Sequence, residues 1–234
     1  METKRFNSIY AIVQARMSSV RLPCKVLRKV CGQTLLEHLI NRLNLSSLLA
    51  GVVIATSIDK TDDAIFEFSL TNGVACFRGD LFDVATRLLG AAKQFGIDHI
   101  LRVSGDSPML DPAIVDRAIG LYQDNEVDLV TNVQQRTFPK GQSVEVFSTK
   151  ILELAIENSR SIHEMEHVTP VFYNNSTSYR ILNFVHPDNL GELQLSVDTQ
   201  EDLDRFGRIM DYLGPPFFKH DLGHILAAQE LIDK

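Results

Sequence analysis

Cysteine is scarce in this chain of 234 residues, and long apolar runs are missing. The three cysteines, Cys24, Cys31 and Cys76, are odd in number and form no C-x-x-C pair, so neither a disulfide framework nor a cysteine-based metal site is expected. The longest apolar run, residues 48–55, is far shorter than the ~20 residues that a membrane-spanning helix needs. The polar N-terminus is followed by an apolar stretch too short for a signal peptide. These features predict a reduced, cytoplasmic protein with no membrane partner.

The chain also has fewer basic than acidic residues. Thirty Asp and Glu residues against 23 Lys and Arg residues give a net charge of −7. Such a chain is a poor match for nucleic acid, which needs a basic face, although a local basic pocket can still bind one nucleotide. Hydrophobic residues at 44% and charged residues at 23% are typical of a soluble globular protein. The length allows one α/β domain with an excursion or one and a half domains, either of which buries a large core; we adopt a single domain over residues 1–234.

The first half of the chain alternates short apolar runs with amphipathic stretches. The apolar runs predict strands over residues 8–14, 51–56, 74–77, 98–104 and 127–133. Helices are predicted after a capping box at Thr34, over 61–71, after an Asp80 cap, and from Asp111-Pro112 to residue 123. This alternation indicates an α/β fold with right-handed βαβ units and a mostly parallel sheet.

The alternation ends near residue 134. A polar loop over 134–141 is followed by predicted strands over 142–147 and 179–185 and a helix over 151–158. A further strand over 193–197 is expected to end in Asp198, after which Thr199 caps a helix; a last helix covers 222–232. Ligands of parallel sheets bind beyond the carboxyl ends of the strands. One site is therefore expected at the loops that follow Gln14, Thr56, Phe77 and Ser104.

The loop after the first strand carries three cations, Arg16, Arg21 and Lys25, and two serines, Ser18 and Ser19. Arginine forks and a lysine point charge suit a polyphosphate, and backbone N–H groups of a tight loop can add to them. In an acidic protein this loop predicts phosphate binding rather than a merely solvated surface. It matches neither the P-loop nor the dinucleotide-binding glycine pattern.

Two carboxylates are predicted to follow strands directly, Asp106 and Asp198. A lone Asp at a strand end is usually a helix cap or a turn former, but Thr199 can take the cap next to Asp198. Magnesium prefers one or two carboxylates together with substrate phosphates. The pair therefore predicts a Mg²⁺ site that faces the cationic loop.

The run AIVQARMSSVRLPCKVL at residues 11–27 resembles the opening of the cytidylyltransferases that make CMP-activated acidic sugars. Later stretches are similar to blocks of the spore-coat polysaccharide branch of that family: FRG at 77–79 with Asp83 and Arg87, GDSP at 105–108, VEVF at 144–147, EHVTP at 166–170, and VDT at 197–199 with ED at 201–202. Acylneuraminate and 3-deoxy-manno-octulosonate cytidylyltransferases are more distant relatives. Each block alone is modest, but their shared order is specific and spans most of the chain.

The resemblance implies a nucleotidyltransferase-type Rossmann-like fold and a reaction of CTP with an acidic 2-keto sugar. The anomeric hydroxyl attacks the α-phosphorus, pyrophosphate leaves, and the CMP-sugar supplies surface polysaccharide or glycan biosynthesis. A homodimer is implied too, with residues 134–186 leaving the main sheet to form a sugar-binding and dimer-contact excursion.

The resemblance also implies roles for individual residues. The implied nucleotide-binding residues are Ala15, Arg16, Ser18, Arg21, Lys25, Ser57, Arg78 and Asp106. Among them Arg16, Arg21 and Lys25 hold the triphosphate, whereas Ser57 and Arg78 lie near the base. Asp106 and Asp198 hold Mg²⁺, and Glu145 and His167 lie on the sugar side. Arg16, Lys25, Asp106 and Asp198 form the catalytic set, and no residue stands out as a general base.

The chain departs from the family pattern at three places. Cys24 stands where the family usually has glycine, and Thr34 where proline is common. KGQS at residues 140–143 replaces a more usual Asp-Gly-x-Asp in the region expected to bind the sugar. The acceptor sugar is therefore left open by the sequence.

Three other functions compete with this interpretation. HEMEH at residues 163–167 satisfies the H-E-x-x-H pattern of zinc hydrolases, but Pro170 would break the helix one turn later and the extended zinc pattern is missing. A nucleotide-dependent glycosyltransferase is expected to bind its metal through a D-x-D pair, and GDSP at residues 105–108 is not such a pair. A nucleotide-binding module with an altered sugar site stays open.

Overall fold

The computed structural model describes residues 8–158, 161–175 and 177–233, which adopt an α/β fold. Its strands are β1 Ile9–Gln14, β2 Lys29–Val30, β3 Gln33–Thr34, β4 Leu49–Ser57, β5 Ala75–Gly79, β6 His99–Ser104, β7 Leu129–Thr131, β8 Glu145–Ser148 and β9 Ile181–Asn183. Its helices are α1 Leu35–Leu43, α2 Asp63–Thr71, α3 Val84–Gln94, α4 Pro112–Asp124, α5 Thr149–Asn158, α6 Ile162–His167, α7 Pro170–Asn174, α8 Gln200–Leu213 and α9 Leu222–Ile232. None of these helices is long and apolar enough to span a membrane.

Seven strands form the main sheet in the order β5-β4-β1-β6-β8-β7-β9, and β2 and β3 form a separate small hairpin. Neighbouring strands are parallel except on both sides of β8, which runs antiparallel to β6 and β7. This arrangement confirms the predicted mostly parallel sheet flanked by helices. Strand β1 shows why a parallel strand reads as a continuous apolar run. Ile12 packs into the core on one face of the sheet, and Ala11 and Val13 pack into the core on the other.

The chain reverses its direction of travel across the sheet at β1. From β1 it proceeds through β4 to β5 on one side, and then returns to place β6 on the other side. Gln14 and Ser104 are register partners, so the carboxyl ends of β1 and β6 lie side by side. In open α/β sheets such a switch point opens a crevice between the two following loops.

Gly105 is what allows these two loops to approach closely. Its N–H donates to the Gln14 carbonyl at 2.9 Å, and an added Cβ would lie 3.1 Å from that oxygen and 3.2 Å from Cβ of Ala15. A side chain here would require the loop after β1 and the turn after β6 to shift by a few tenths of an ångström.

Helix starts follow the predicted caps with one exception. Thr34 and Thr199 both form complete capping boxes, and Asp111 caps α4 by accepting from the Ala113 N–H. Asp80, predicted to cap the third helix, does not, and that prediction was wrong. Its carboxylate accepts from two backbone N–H groups in a turn, and Asp83 caps α3 three residues later.

Two further predictions need correction. Residues 193–197 form no strand of the sheet; they pair with the loop at Lys140 through a single bridge between Lys140 and Gln194. The alternation of this segment resembles that of a strand, but its N–H groups are satisfied by loop carbonyls, including Val197 N–H to Asp106 O at 2.9 Å. Residues 134–186 do not leave the main sheet either, because β8 and β9 fall in this range and belong to it. Helices α5, α6 and α7 make up the rest of the regular structure there.

Cys24 occupies the left-handed region of the backbone map, with φ 61° and ψ 18°, at the start of the short helical turn that carries Lys25. The left-handed conformation costs a residue with a Cβ about 1–2 kcal/mol, whereas glycine adopts it freely. The cysteine side chain is exposed, so little packing offsets this cost. The departure from the family's glycine therefore leaves a strained residue next to Lys25.

We predict that Cys24→Gly raises the free energy of unfolding by about 0.5–1 kcal/mol, because the relief of strain exceeds the added entropy of the unfolded chain. Cys24→Ala is the matched control and should stay within about 0.5 kcal/mol of the wild type, since alanine meets the same penalty. Urea denaturation followed by circular dichroism measures both. A glycine variant less stable than the alanine variant would contradict the strain at this position.

Candidate active site

A cleft of about 410 Å³ opens at the switch point between β1 and β6. Its floor is the end of β1, with Gln14 and Ala15, and the turn formed by Ser104, Gly105 and Asp106. The loop after β1 supplies one wall, and the start of α3 and the end of α6 supply the others. Of the predicted site residues, the cleft is lined by Ala15, Arg16, Ser18, Arg21, Lys25, Asp106, His167 and Asp198.

The loop after β1 is folded around the backbone of Met17. The Met17 carbonyl accepts from the N–H groups of Ser19 and Cys24, both at 2.9 Å. The Met17 N–H donates at 2.6 Å to the carboxylate of Asp62. Asp62 is fully buried and also accepts from the Ser57 hydroxyl. Asp62 was missed by the sequence analysis because nothing local separates it from its acidic neighbours. It anchors the cationic loop to the end of β4.

Lys25 lies at the centre of the cleft between the two predicted metal ligands. Its Nζ is 2.6 Å from Asp106 Oδ2 and 2.8 Å from Asp198 Oδ1. The side chain of Lys25 is 11% exposed, and each aspartate side chain is 21% exposed. The two carboxylates, 92 residues apart in the sequence, therefore converge on one point, as predicted, although Asp198 follows a loop segment and not the strand on which that prediction relied.

The ion pairs shift the ionisation of this cluster. Burial by itself lowers the pKa of Lys25, but attraction to Asp106 and hydrogen bonds to both carboxylates outweigh it, so the pKa is raised. Burial likewise raises the pKa of Asp198, but the hydrogen bond and charge of Lys25 and the charge of Arg21 outweigh it, and the pKa is lowered. Both groups are therefore held in their charged forms.

The two arginines of the loop reach carboxylates on different walls. Arg21 contacts Asp198 at 3.0 Å, and Arg16 contacts Glu166 on α6 at 3.4 Å. Their side chains are 66% and 38% exposed, so both cations stand at the mouth of the cleft and can turn toward a ligand. Because both arginines are more than a third exposed, solvent screens these pairs and their rearrangement costs little.

Arg87 is a cation of the cleft wall that the sequence analysis quoted only as part of a motif. Its Nη1 donates to the carbonyls of Asp80 and Leu81, at 2.6 and 3.1 Å, while its buried Nε has no partner among the described residues. Burial lowers the pKa of Arg87, against the attraction of Asp62. The wall of the cleft thus holds a positive charge with an unused donor.

Ser57 and Arg78, predicted to lie near the base, do not line the cleft. Ser57 is buried, and its hydroxyl donates to Asp62 at 2.5 Å. Arg78 donates from Nε to the Ser57 carbonyl at 2.8 Å and pairs with Asp63 at 2.7 Å. Ser57 therefore supports the cationic loop through Asp62, and Arg78 holds the segment that follows β4.

Glu145, predicted to lie on the sugar side, is buried beneath the cleft rather than exposed in it. Its carboxylate pairs with Arg102 at 2.5 Å and accepts from the Tyr173 hydroxyl at 2.6 Å. Burial raises the pKa of Tyr173, as do the charge and hydrogen bond of Glu145. Arg102 Nε donates to the side chain of Gln14 at 3.0 Å, and Gln14 lines the cleft. Glu145 can therefore influence the cleft through Arg102.

The altered segment KGQS serves the fold in three of its four positions. Lys140 pairs through its backbone with Leu193 and Leu195. Gly141 has φ 93°, and an added Cβ would lie 2.5 Å from the Ser196 nitrogen. The fully buried Gln142 bonds the Asp111 N–H and the Met109 carbonyl. The fourth position differs: the hydroxyl of Ser143 accepts a hydrogen bond from the Arg136 side chain at 3.1 Å, and a ligand could replace this contact.

His167 reaches the cleft from the last residue of α6. Directly after it, Val168 has φ 68° and ψ −62°, with the Thr169 N–H bonded to the His167 carbonyl at 2.8 Å. This γ-turn with positive φ is rare and strained for a β-branched residue, and it ends the helix before Pro170. Within the described part of the chain no three His, Cys, Asp or Glu residues group around a metal position. The side chain of His163, the first histidine of H-E-x-x-H, lies outside the described residues.

We predict that Glu145→Ala lowers the free energy of unfolding by about 3 kcal/mol, because it leaves the largely buried Arg102 charge, 16% exposed, without its main partner. Glu145→Gln should cost less, about 1–2 kcal/mol, since an amide oxygen still accepts one of the two hydrogen bonds. Glu153→Ala removes the exposed partner of Lys93 and should cost at most about 1 kcal/mol. Urea titration of the three variants measures the series. Equal costs for Glu145→Ala and Glu153→Ala would contradict the buried pair.

Comparison with known proteins assigns the chain to a family. The profile of the cytidylyltransferase family matches residues 10–212. The spore coat polysaccharide biosynthesis protein SpsF of Bacillus subtilis (strain 168) is 31% identical over 206 residues, 85% of this chain and 84% of SpsF. A 3-deoxy-manno-octulosonate cytidylyltransferase of Myxococcus xanthus is 33% identical over 169 residues, 69% and 67% of the two chains. A cytidylyltransferase structure from Leptospira borgpetersenii is 30% identical with a TM-score of 0.88, covering 97% of this chain and 94% of that one. The chain therefore belongs to the cytidylyltransferase family of CTP-dependent nucleotidyltransferases, as the resemblance of its motifs implied.

Proposed function

We propose that this protein transfers CMP from CTP to an acidic 2-keto sugar and releases pyrophosphate, for the synthesis of a surface polysaccharide or glycan. The observation that carries the proposal is the convergence of Asp106 and Asp198 on the Lys25 ammonium, inside a cleft walled by Arg16 and Arg21. The anomeric hydroxyl oxygen of the sugar forms a bond to the α-phosphorus and releases its proton to solvent, the bond from that phosphorus to the bridging oxygen breaks, and pyrophosphate leaves. Such a reaction depends on positioning and on neutralising charge.

The cations of the loop supply the positive charge that a triphosphate needs. Arg16, Arg21 and Lys25 bind the phosphates, and the backbone at Ala15 and the Ser18 hydroxyl contribute from the same wall. Their position at the carboxyl ends of β1 and β6 is where α/β sheets bind nucleotides.

The other predicted residues act around this centre. Ser57 and Arg78 shape the base side by supporting the cationic loop through Asp62, which Ser57 contacts directly. His167 contacts the sugar from α6, and Glu145 orients Gln14 on the cleft floor through Arg102. The Myxococcus relative is named for a reaction of 3-deoxy-manno-octulosonate, a 2-keto sugar acid, which supports this acceptor class.

The carboxylates of Asp106 and Asp198 fit a divalent cation. One oxygen of each already lies within 2.8 Å of a single positively charged atom, so both can approach one ion. Two carboxylates completed by phosphates and water are a common Mg²⁺ donor set. When bound there, Mg²⁺ would supply charge stabilisation at the α-phosphate.

We predict Mg²⁺-dependent release of pyrophosphate from CTP in the presence of an eight- or nine-carbon 2-keto sugar acid. CTP should exceed ATP, GTP and UTP by at least about 10²-fold in kcat/KM, because a site built to hydrogen-bond one base rejects the others. A coupled pyrophosphate assay over a panel of sugar acids measures this. Turnover of sugar 1-phosphates without turnover of any keto sugar acid would contradict the proposal, and nucleotide binding without turnover of any acceptor would favour a binding module.

We predict that Asp106→Asn and Asp198→Asn each lower kcat by about 10²–10³, because each keeps the side-chain shape but removes preorganised charge. The double variant should lose less than the product of the two, since residues that act as a unit are not additive. Asp221→Asn is the matched control: Asp221 caps α9 and is absent from the cleft lining, and asparagine caps about as well. Full turnover by Asp198→Asn at limiting Mg²⁺ would contradict the shared metal.

We also propose that the protein acts as a homodimer in the cytoplasm, with contacts from residues 134–186. Leu154 and Val185 in this range are large apolar side chains at least 39% exposed, and the three cysteines are free, as in a reducing compartment. Light scattering coupled to gel filtration should give twice the chain mass, and Leu154→Lys should shift the equilibrium toward monomer. A monomer at every concentration tested would refute the dimer.

A further inference from the structure

The ammonium of Lys25 lies between the carboxylates of Asp106 and Asp198, the two residues that would hold a shared metal ion. Its Nζ is hydrogen-bonded to Asp106 Oδ2 and to Asp198 Oδ1. The remaining oxygen of each carboxylate is occupied by neutral donors, Ser107 on Asp106 and Gln194 on Asp198. A Mg²⁺ ion binds carboxylate oxygens at about 2.0–2.1 Å. This is shorter than the 2.6 and 2.8 Å that now separate the same oxygens from Lys25 Nζ. The ammonium and the divalent ion therefore compete for one position, and their like charges repel.

We propose that Lys25 is a displaceable internal cation that closes the metal position in the free protein and opens it when a triphosphate binds. The proposal rests on the proposed function, because it takes the triphosphate as the group that draws Lys25 away. In the free protein Lys25 and Arg21 together balance the two carboxylates, so little net charge is left to attract a divalent ion. Once Lys25 moves to the phosphates, the carboxylates regain the negative charge that binds the metal.

Lysine is suited to this exchange. It carries a compact charge on a flexible four-carbon stem, whereas a planar arginine fork would hold the carboxylates more rigidly. The backbone of Lys25 is fixed by the short helical turn Lys25–Leu27 and by the neighbouring buried Val26, so only the side chain needs to swing. The same side chain lines the cleft that receives the phosphates. Triphosphate and metal therefore each tighten the binding of the other, since coupling between two sites is reciprocal.

The test measures binding of Mn²⁺ to the free protein by electron paramagnetic resonance, with no nucleotide present. Wild-type protein should bind Mn²⁺ weakly, and Lys25→Met should bind one ion at least about tenfold more tightly, within the range that coupled sites commonly reach. Lys25→Arg keeps a cation at the position and should stay weak. Lys93→Met, which removes the exposed partner of Glu153, is the matched control and should equal the wild type. Adding Asp106→Asn to Lys25→Met should abolish the gain.

Two results would overturn the proposal: a Lys25→Met protein that binds Mn²⁺ no more tightly than the wild type, or a Lys25→Arg protein that binds as tightly as Lys25→Met. Circular dichroism establishes that each variant is folded, and Lys25→Gln, which retains a donor toward the carboxylates, replaces Lys25→Met if that variant unfolds. Because the titration contains no nucleotide, its outcome is independent of the CTP assay. Failure of the CTP assay alone would refute the proposed function, and an unchanged Mn²⁺ affinity alone would refute the exchange.

Discussion

The contact of one lysine ammonium with two carboxylates joins three distant parts of this chain. Lys25 comes from the loop after β1, Asp106 from the turn after β6, and Asp198 from the segment that leads into α8. The pairs are separated by 81 and 173 residues in the sequence, so they bring the beginning, middle and end of the domain to a single point. The rest of the fold can be understood as what places these three segments together and leaves a cleft beside them.

Three local features hold this geometry. The reversal of strand order at β1 sets the carboxyl ends of β1 and β6 next to each other. Gly105 lets the following loops touch, because a Cβ at that position would crowd the Gln14 carbonyl at 3.1 Å. Asp62, buried behind the loop, accepts from Met17 N–H and fixes the path of the cationic segment. The charged centre therefore depends on the strand order, on the close backbone approach at Gly105 and on the hydrogen bond between Met17 and Asp62.

Features encoded by adjacent residues could be predicted from the sequence, while those that depend on distant partners could not. The capping box at Thr34 is local and was predicted, as were the strand and cationic loop that bring Arg16, Arg21 and Lys25 to one edge. The prediction that α3 starts at Asp80 was wrong. Asp83, three residues later, is an equally good N-cap residue, and only packing decides between the two.

The second half of the domain shows the same limit. Residues 193–197 alternate like a strand, but their hydrogen-bonding partner is a loop near Lys140 rather than a strand of the sheet. Burial of Glu145 against Arg102 was missed because a carboxylate in a strand gives no local sign of the cation that pairs with it. The prediction that residues 134–186 leave the main sheet was also wrong, because β8 inserts between β6 and β7. The sequence does not show this pairing, since the partner strands are distant along the chain.

We expect the cationic loop and the two carboxylates to hold the triphosphate of CTP at the switch point. A crystal structure of the protein with CTP and Mg²⁺ would show this. The triphosphate should lie between Arg16, Arg21 and Lys25, with the Lys25 ammonium moved onto a phosphate and both Asp106 and Asp198 on the metal. A nucleotide bound away from this cleft, or a Lys25 that keeps both carboxylates with the triphosphate in place, would contradict it.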